Sequence, residues 1–441
     1  MAQIFRAGKS SKQRSKQVET VELTIDSLDH QGRGVCRHQG KVGFVDGALS
    51  SERVKARIKT QKSRVFEAQT VKVLEPSEER VTPFCEYYQQ CGGCALQHLD
   101  ADAQLVHKQQ AVSALFNKFA KASELPWLAP LTGPERHYRR AGRIACIYDK
   151  QNNQLKLGFR SAGSKKIIEI DHCAVMVDAF AGGFEALRQA LNAHPELRSV
   201  SHIQFCAADN GAFVLLRHTR AISPQVKAQV AERLAGQNWQ LVWDDGKSQP
   251  EYALLPTYES AGVTFAFKLD NFIQVNRDIN EQMLQRALEW LALTGTEQVL
   301  DLFCGIGNFS LLLAKHANKV VAVEGVTESV AMARQNAHTN HIDTVSFHQF
   351  DLTQPLTTAN WFHAALDVLV LDPSRTGAYE ILRQLPLTQF KQVLYVSCDP
   401  VTMARDAALL LEAGFVVDKV CLMNMFPHTG HIETMALFQR R

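Results

Sequence analysis

The chain has 441 residues, 46% hydrophobic and 21% charged, with a formal net charge of +3. That length calls for two or three cores, and no run approaches the roughly 18 to 20 apolar residues of a membrane span. The polar, basic start, Met1 to Val18, lacks the apolar stretch of a secretory signal. A cytoplasmic protein is therefore expected, and its ten cysteines point to metal ligation or catalysis where they cluster rather than to disulfides.

Residues 1–14 are expected to form a basic flexible tail. From Val21 the text turns to short β-like runs, VELTI, GVCRH, KVGFV, ERVKARIK and FEAQTVKVL, separated by Gly32, Gly34, Gly40 and Gly47. Five short strands predict a small OB-like β-barrel over 15–74, a shape that binds oligonucleotides. Residues 1–75 carry 15 Lys/Arg against 8 Asp/Glu, which suits contact with a polyanion; a merely solvated basic tail fits the charge equally well.

A central α+β domain is expected over 75–270. It opens with Cys85, Cys91 and Cys94, continues through a helix near 101–121 that can pack on the catalytic domain, and includes Cys173. Hairpin-like runs follow (RIACIYD with KLGFR, HIQFCA with AFVLLRH), with helical stretches near 178–193 and 223–235. From spacing alone the four cysteines suit a structural zinc or an iron–sulfur cluster equally. Tyr138-Arg139-Arg140-Ala-Gly-Arg143 is a candidate RNA contact, with a solvated charged strand as the alternative.

From about Asn271 strands and helices alternate. QVLDLF, KVVAVEG, VSFHQFD, VLVLDPS and QVLYVSCD are separated by helical stretches such as 309–317, 327–340 and 402–413. This predicts an α/β, Rossmann-like domain over 271–441 with a parallel sheet covered on both faces and ligands beyond the strands' carboxyl ends. Val299-Leu-Asp-Leu-Phe-Cys-Gly305-Ile-Gly307-Asn-Phe-Ser310 is strand, glycine turn, helix, and Glu324 ends the next strand, where it can bind a ribose. NAD and S-adenosylmethionine both fit the glycine pair. Ser310 in place of a third glycine, and Asp351 closing the third strand where an adenine amino group could be met, favour the latter.

Cys398 ends an apolar strand beside the Asp372-Pro373-Ser374-Arg375 turn, where a nearby cation is expected to acidify the thiol. A methyltransferase needs a thiolate when the acceptor is C5 of uracil, because addition at C6 makes C5 nucleophilic. A base must then remove the C5 hydrogen, and Glu433 stands where it could do so.

Four ordered motifs, Phe303-Cys-Gly-Ile-Gly-Asn-Phe309, Leu371-Asp-Pro-Ser-Arg375, Val396-Ser-Cys-Asp-Pro400 and Phe426-Pro-His-Thr-Gly-His-Ile-Glu-Thr434, together resemble the RNA uridine-5-methyltransferase family. The resemblance implies a class I methyltransferase fold, Cys398 as nucleophile, Glu433 as base, and S-adenosyl-L-methionine held by Gln274, Phe303, Asn308, Glu324, Asp351 and Asp372. Arg80-Val-Thr-Pro-Phe-Cys-Glu-Tyr-Tyr-Gln-Gln-Cys-Gly-Gly-Cys94 is similar to the ribosomal-RNA branch of the family. That likeness implies a [4Fe–4S] cluster on Cys85, Cys91, Cys94 and Cys173, with a structural or RNA-shaping role. The barrel, with Gly32-Arg-Gly34 and Gly43-Phe-Val-Asp-Gly-Ala, resembles a TRAM domain. The family's tRNA enzyme lacks barrel and cluster and its other 23S enzyme lacks the barrel, so the implied substrate is a specific uridine of 23S ribosomal RNA, met before full ribosome assembly. No membrane and no obligate protein partner are expected. Another 23S or tRNA uridine, a catalytically inactive RNA-binding homologue and an NAD-dependent oxidoreductase are the alternatives.

Overall fold

The computed structural model describes residues 20–362 and 365–440. The expected tail, 1–14, lies outside the described residues. Two compact units are found, one ending at Arg80 and the other beginning at Val81, so the break falls six residues beyond the expected barrel end at 74.

The first unit contains a six-stranded sheet rather than the expected five strands, because Ser27–Leu28 forms a short extra strand beside Gly34–His38. Alternation sets its inward face: Val54 and Ala56, Phe66 and Ala68 point to one core with Leu23, Ile25, Cys36 and Val45. Their neighbours Lys55, Arg57 and Glu67 face out. Glu52 is fully buried yet paid for: it accepts from Leu49 N (2.8 Å) and from the Arg80 Nη2 (2.8 Å). Those partners hold its carboxyl below the usual range against the opposing effect of burial.

In the second unit the two expected hairpins form, Ala141–Asp149 with Gln154–Arg160 and Val200–Ala208 with Gly211–His218. They join edge to edge through the Val200–Ala208 and Ala141–Asp149 strands into a six-stranded sheet. Trp239–Asp244 adds a parallel edge that no motif announced. The middle segment shares a core with the carboxyl-terminal part. Cys206, Phe213 and Leu215 from its sheet share one apolar core with Met283, Leu284 and Val299.

The carboxyl-terminal sheet has seven strands. Parallel strands Val345–Gln349, Lys319–Glu324, Gln298–Leu302, Val368–Leu371 and Gln392–Ser397 stand in that order, and the antiparallel pair Glu433–Arg440 and Phe415–Met423 closes the edge. Its strands read as continuous apolar runs because both faces are covered. Leu369, Leu371, Val393 and Tyr395 face the side on which Ala101–Ala120 and Pro400–Glu412 pack. Pro400–Glu412 begins as its sequence dictates. Asp399 is the N-cap, accepting from Val401 N (2.9 Å) and Thr402 N (3.1 Å), and Pro400 occupies the first turn, where its missing N–H costs nothing. The helix expected over 309–317 is shorter, Ser310–Leu313.

Candidate active site

The carboxyl ends of the parallel strands open into a cleft of about 730 Å³. Gln274, Phe303, Asn308, Glu324, Asp372, Cys398 and Glu433 all line it. Asp351 is not among the lining residues; its carboxylate accepts from Thr353 N (3.0 Å), Thr353 Oγ1 (2.7 Å) and the Gln354 Nε2 (3.2 Å), capping its own turn.

The cofactor half follows from the backbone. Phe303 has φ of 66°, a left-handed conformation costly for an aromatic residue, and sits directly before the glycine turn. Its N–H and that of Cys304 both bond to Val323 O, at 2.9 and 3.1 Å, which holds the bend in place. Gly305 and Gly307 follow at φ of 55° and 96°, conformations that side chains resist. Glu324 is fixed by Gly305 N (3.1 Å) and Val326 N (2.9 Å), leaving its carboxylate at the cleft wall. Asn308 is oriented by Asn280 Oδ1, to which its amide donates at 2.9 Å. Ser310, in place of a third glycine, donates to buried Asp301, whose carboxyl burial pushes up to about 7. Neither Asp301 nor Asn280 was singled out from sequence. Only the strand–turn–helix register across Asp301 and Ser310, nine positions apart, would have paired them.

The reacting half is set by strand register. Ser397 pairs with Thr434 across antiparallel strands, so Cys398 and Glu433 stand opposite one another at the end of the ladder. Asp372 follows Leu371 on the adjacent strand, whose partner is Tyr395. Asp406 ties the two motifs together: fully buried, it accepts from Ala378 N (2.6 Å) and the Tyr395 hydroxyl (2.7 Å), anchoring the 372–378 turn to the helix after Cys398. Arg375 reaches His431 Nδ1 at 3.3 Å.

The electrostatics correct one expectation. Arg375 does pull the Cys398 thiol down, but burial, then Glu433, then Asp372 outweigh it, and the thiol is pushed up to about 12. Glu433 is raised well above the carboxylate range by burial and by Asp372, against the pull of Lys108 and Arg375. Burial carries Asp372 up to about 7. Phe272, 72% exposed on the cleft wall, was also missed; an exposed aromatic beside Gln274 was the only signal.

A second cavity, about 290 Å³, is lined by Cys85, Cys91, Cys94 and Cys173. Gly92 permits the approach: its N–H bonds to Arg160 O (2.9 Å), and a Cβ there would sit 2.9 Å from that oxygen. Burial raises Cys91, Cys94 and Cys173, and neighbouring thiols raise them further. Among the described residues no three or more His, Cys, Asp or Glu side chains are set to hold a single metal ion. The donor set, four thiols lining one cavity, is the chemistry that a tetrahedral zinc or an iron–sulfur cluster requires. His431 lines both cavities.

A model of the tRNA (uracil-5-)-methyltransferase family matches residues 100–441, and a TRAM domain model matches residues 14–71. The chain belongs to the tRNA (uracil-5-)-methyltransferase family. It is 56% identical over the full length of both chains to the 23S rRNA (uracil(1939)-C(5))-methyltransferase RlmD of Pseudoalteromonas translucida. The RlmD of Vibrio cholerae is 42% identical, again over the whole of both chains. Among solved structures, the tRNA (uracil-54, C5)-methyltransferase of Pyrococcus abyssi, in complex with S-adenosyl-L-homocysteine, has a TM-score of 0.74. At 21% identity it covers 95% of this chain and 99% of its own, and so shares the fold. No helix among the described residues is long and apolar enough to cross a membrane.

Proposed function

We propose that this family member is a cytoplasmic enzyme that transfers the methyl group of S-adenosyl-L-methionine to C5 of the uridine corresponding to position 1939 of 23S ribosomal RNA. The observation that carries the chemistry is the register that sets Cys398 opposite Glu433 at the mouth of a cleft whose other end is Glu324 and the 305–307 glycine turn.

Cys398 loses its thiol proton to solvent at the open cleft mouth and its sulfur adds to C6 of the uracil ring, shifting the C5–C6 π pair to C5 and O4 as an enolate. The Arg375 guanidinium, at the same mouth, is the cation available to that oxygen. C5 then takes the methyl group from the sulfonium, which becomes a neutral thioether. Glu433 removes the hydrogen still on C5; the electron pair left behind re-forms the C5–C6 double bond and expels the Cys398 sulfur as thiolate. The thiol, raised by burial, Glu433 and Asp372, fits this order. A sulfonium brought in by the cosubstrate supplies the positive charge that offsets Asp372 and Glu433. Gln274, Phe303, Asn308, Glu324 and Asp372 would hold that cosubstrate, with Asp351 at its adenine end. The target uridine must leave its stack to enter, and Phe272 offers a ring on which a base can stack.

We further infer that Cys85, Cys91, Cys94 and Cys173 hold a [4Fe–4S] cluster, which would fix the segment they surround. Ala95 N and Leu96 N, just after Cys94, both donate to His428 O at 2.9 Å, so that segment anchors the loop leading to Glu433. The basic first unit would supply phosphate contacts.

The purified protein, incubated with methyl-labelled cosubstrate and unmodified 23S RNA, should place 5-methyluridine at position 1939 and nowhere else. Label at another uridine, or on tRNA alone, would contradict the substrate.

A further inference from the structure

The helix Ala101–Ala120 buries Gln104, Lys108, Val112, Phe116 and Ala120, a stripe at four-residue spacing along one face. Val112 and Phe116 join the core under the catalytic sheet. Gln104, one turn before Lys108, clamps the loop that feeds Glu433. It accepts from His428 N at 3.0 Å, lies 3.2 Å from His428 Nδ1, and donates to Leu99 O at 2.8 Å. Lys108 follows one turn later on the same buried stripe. Lys108 is 5% exposed, a place where an ammonium is costly unless a negative charge faces it.

The groups around it come from several elements. Glu433 is the acid whose attraction opposes the effect of burial on Lys108. His428 and His431, on the loop, are both held down by burial and by the Lys108 charge. Arg136 also presses on His428, whose Nε2 lies 3.3 Å from a Glu135 carboxylate oxygen. Asp372 and Arg375 face Glu433 from the neighbouring strand's turn. Burial lowers Lys108 to about 8 against the attraction of Glu433, so it is largely charged at neutral pH and largely neutral by pH 9. Arg375 is exposed at the cleft mouth; Lys108 is the cation on the buried side.

We propose that Lys108 is a positioning residue that favours the carboxylate form of Glu433 for removal of the C5 hydrogen, as a cation on its buried side. The proposal rests on the reading of Glu433 as the base. In the step concerned the C5–H bond breaks toward a Glu433 oxygen, its electron pair re-forms the C5–C6 double bond, and the C6–S bond breaks to leave thiolate on Cys398. At neutral pH Lys108 stays an ammonium through the step and does not touch the uridine.

The test follows decay of the methylated Cys398–RNA adduct in single-turnover reactions quenched with denaturant, from pH 6 to 9, using the full-length holoprotein. Lys108→Met should form the adduct but release it at least about tenfold more slowly at pH 7. Without the cation, Glu433 holds its proton to higher pH, so the rise of the release rate should move to the alkaline side. Lys108→Arg should stay within a few-fold of the unsubstituted protein. Lys108→Gln, also uncharged, is measured alongside so that a Met variant that fails to fold leaves the question answerable. Normal release in the uncharged variants at every pH would overturn the proposal, as would an Arg variant as slow as the uncharged ones, since shape rather than charge would then matter. Glu433→Gln in the same assay separates the two readings. If it leaves no lasting adduct, the assignment of the base fails and takes the proposal with it. If it does, and the Lys108 variants release normally, the proposal alone fails.

Discussion

Cys398 in the catalytic cleft and Cys94 in the cysteine cavity are both pushed up to about 12, with burial the largest cause in each, but they keep different company. Around Cys398 stand two carboxyls, Glu433 and Asp372, and one guanidinium, Arg375. Around Cys94 the opposing groups are thiols, Cys173, Cys91 and Cys85, with only a hydrogen bond from the Gln97 side chain pulling the other way. A buried thiol surrounded by carboxyls can be released by a single positive charge that arrives and leaves with each turnover. Thiols that raise one another need a resident guest with enough charge to deprotonate them together, which bound metal does outright. Under the proposed function, the same desolvation serves a transient nucleophile in one place and a permanent ligand set in the other.

The sharpest way to break that contrast is at the ligand set. Cys94→Ser should reduce iron from about four atoms per chain to near none in protein purified without oxygen, and abolish broad absorption near 400 nm. Cosubstrate affinity should be unchanged, because Glu324 and the glycine turn do not touch that cavity. Iron retained at the full level in the variant, or one tightly bound zinc and no iron in the parent protein, would remove the distinction drawn here.

A smaller effect sharpens the other side. A thiol raised to about 12 is almost wholly protonated at neutral pH, so alkylation of Cys398 in the ligand-free protein, followed by peptide mass, should climb about tenfold per pH unit and show no plateau by pH 10. An unperturbed cysteine levels off soon after about pH 8.5. A plateau near neutrality would mean that Arg375 dominates after all.

That last point marks where sequence reading stopped. That the glycine turn, Glu324, Asp372, Cys398 and Glu433 line one cleft was legible because each sits at a strand end within a motif whose spacing is local. Asp399-Pro400 even carries its own structural explanation as a helix cap. The acidifying role expected of Arg375 was not legible, because adjacency along a motif says nothing of how deeply the thiol lies or which carboxyls share its space. Lys108 and Gln104 were invisible for a related reason. In the sequence they are polar residues on an ordinary amphipathic helix, and only packing against a loop more than 300 residues away gives them work. The central sheet was half read: its hairpins are local, whereas the parallel Trp239–Asp244 edge depends on a crossover.

The claim on which the rest depends is that Cys398 and Glu433 act at successive steps on the same carbon framework. Glu433→Gln, incubated with 23S RNA and methyl-labelled S-adenosyl-L-methionine, tests it most directly by denaturing electrophoresis. The account predicts a labelled protein–RNA complex that survives denaturant, because methyl transfer has occurred and elimination cannot. Cys398→Ala, alone or combined with Glu433→Gln, should give no complex and lose at least about 10³-fold in methyl transfer. Normal turnover by Glu433→Gln, or methylation by Cys398→Ala, would contradict it.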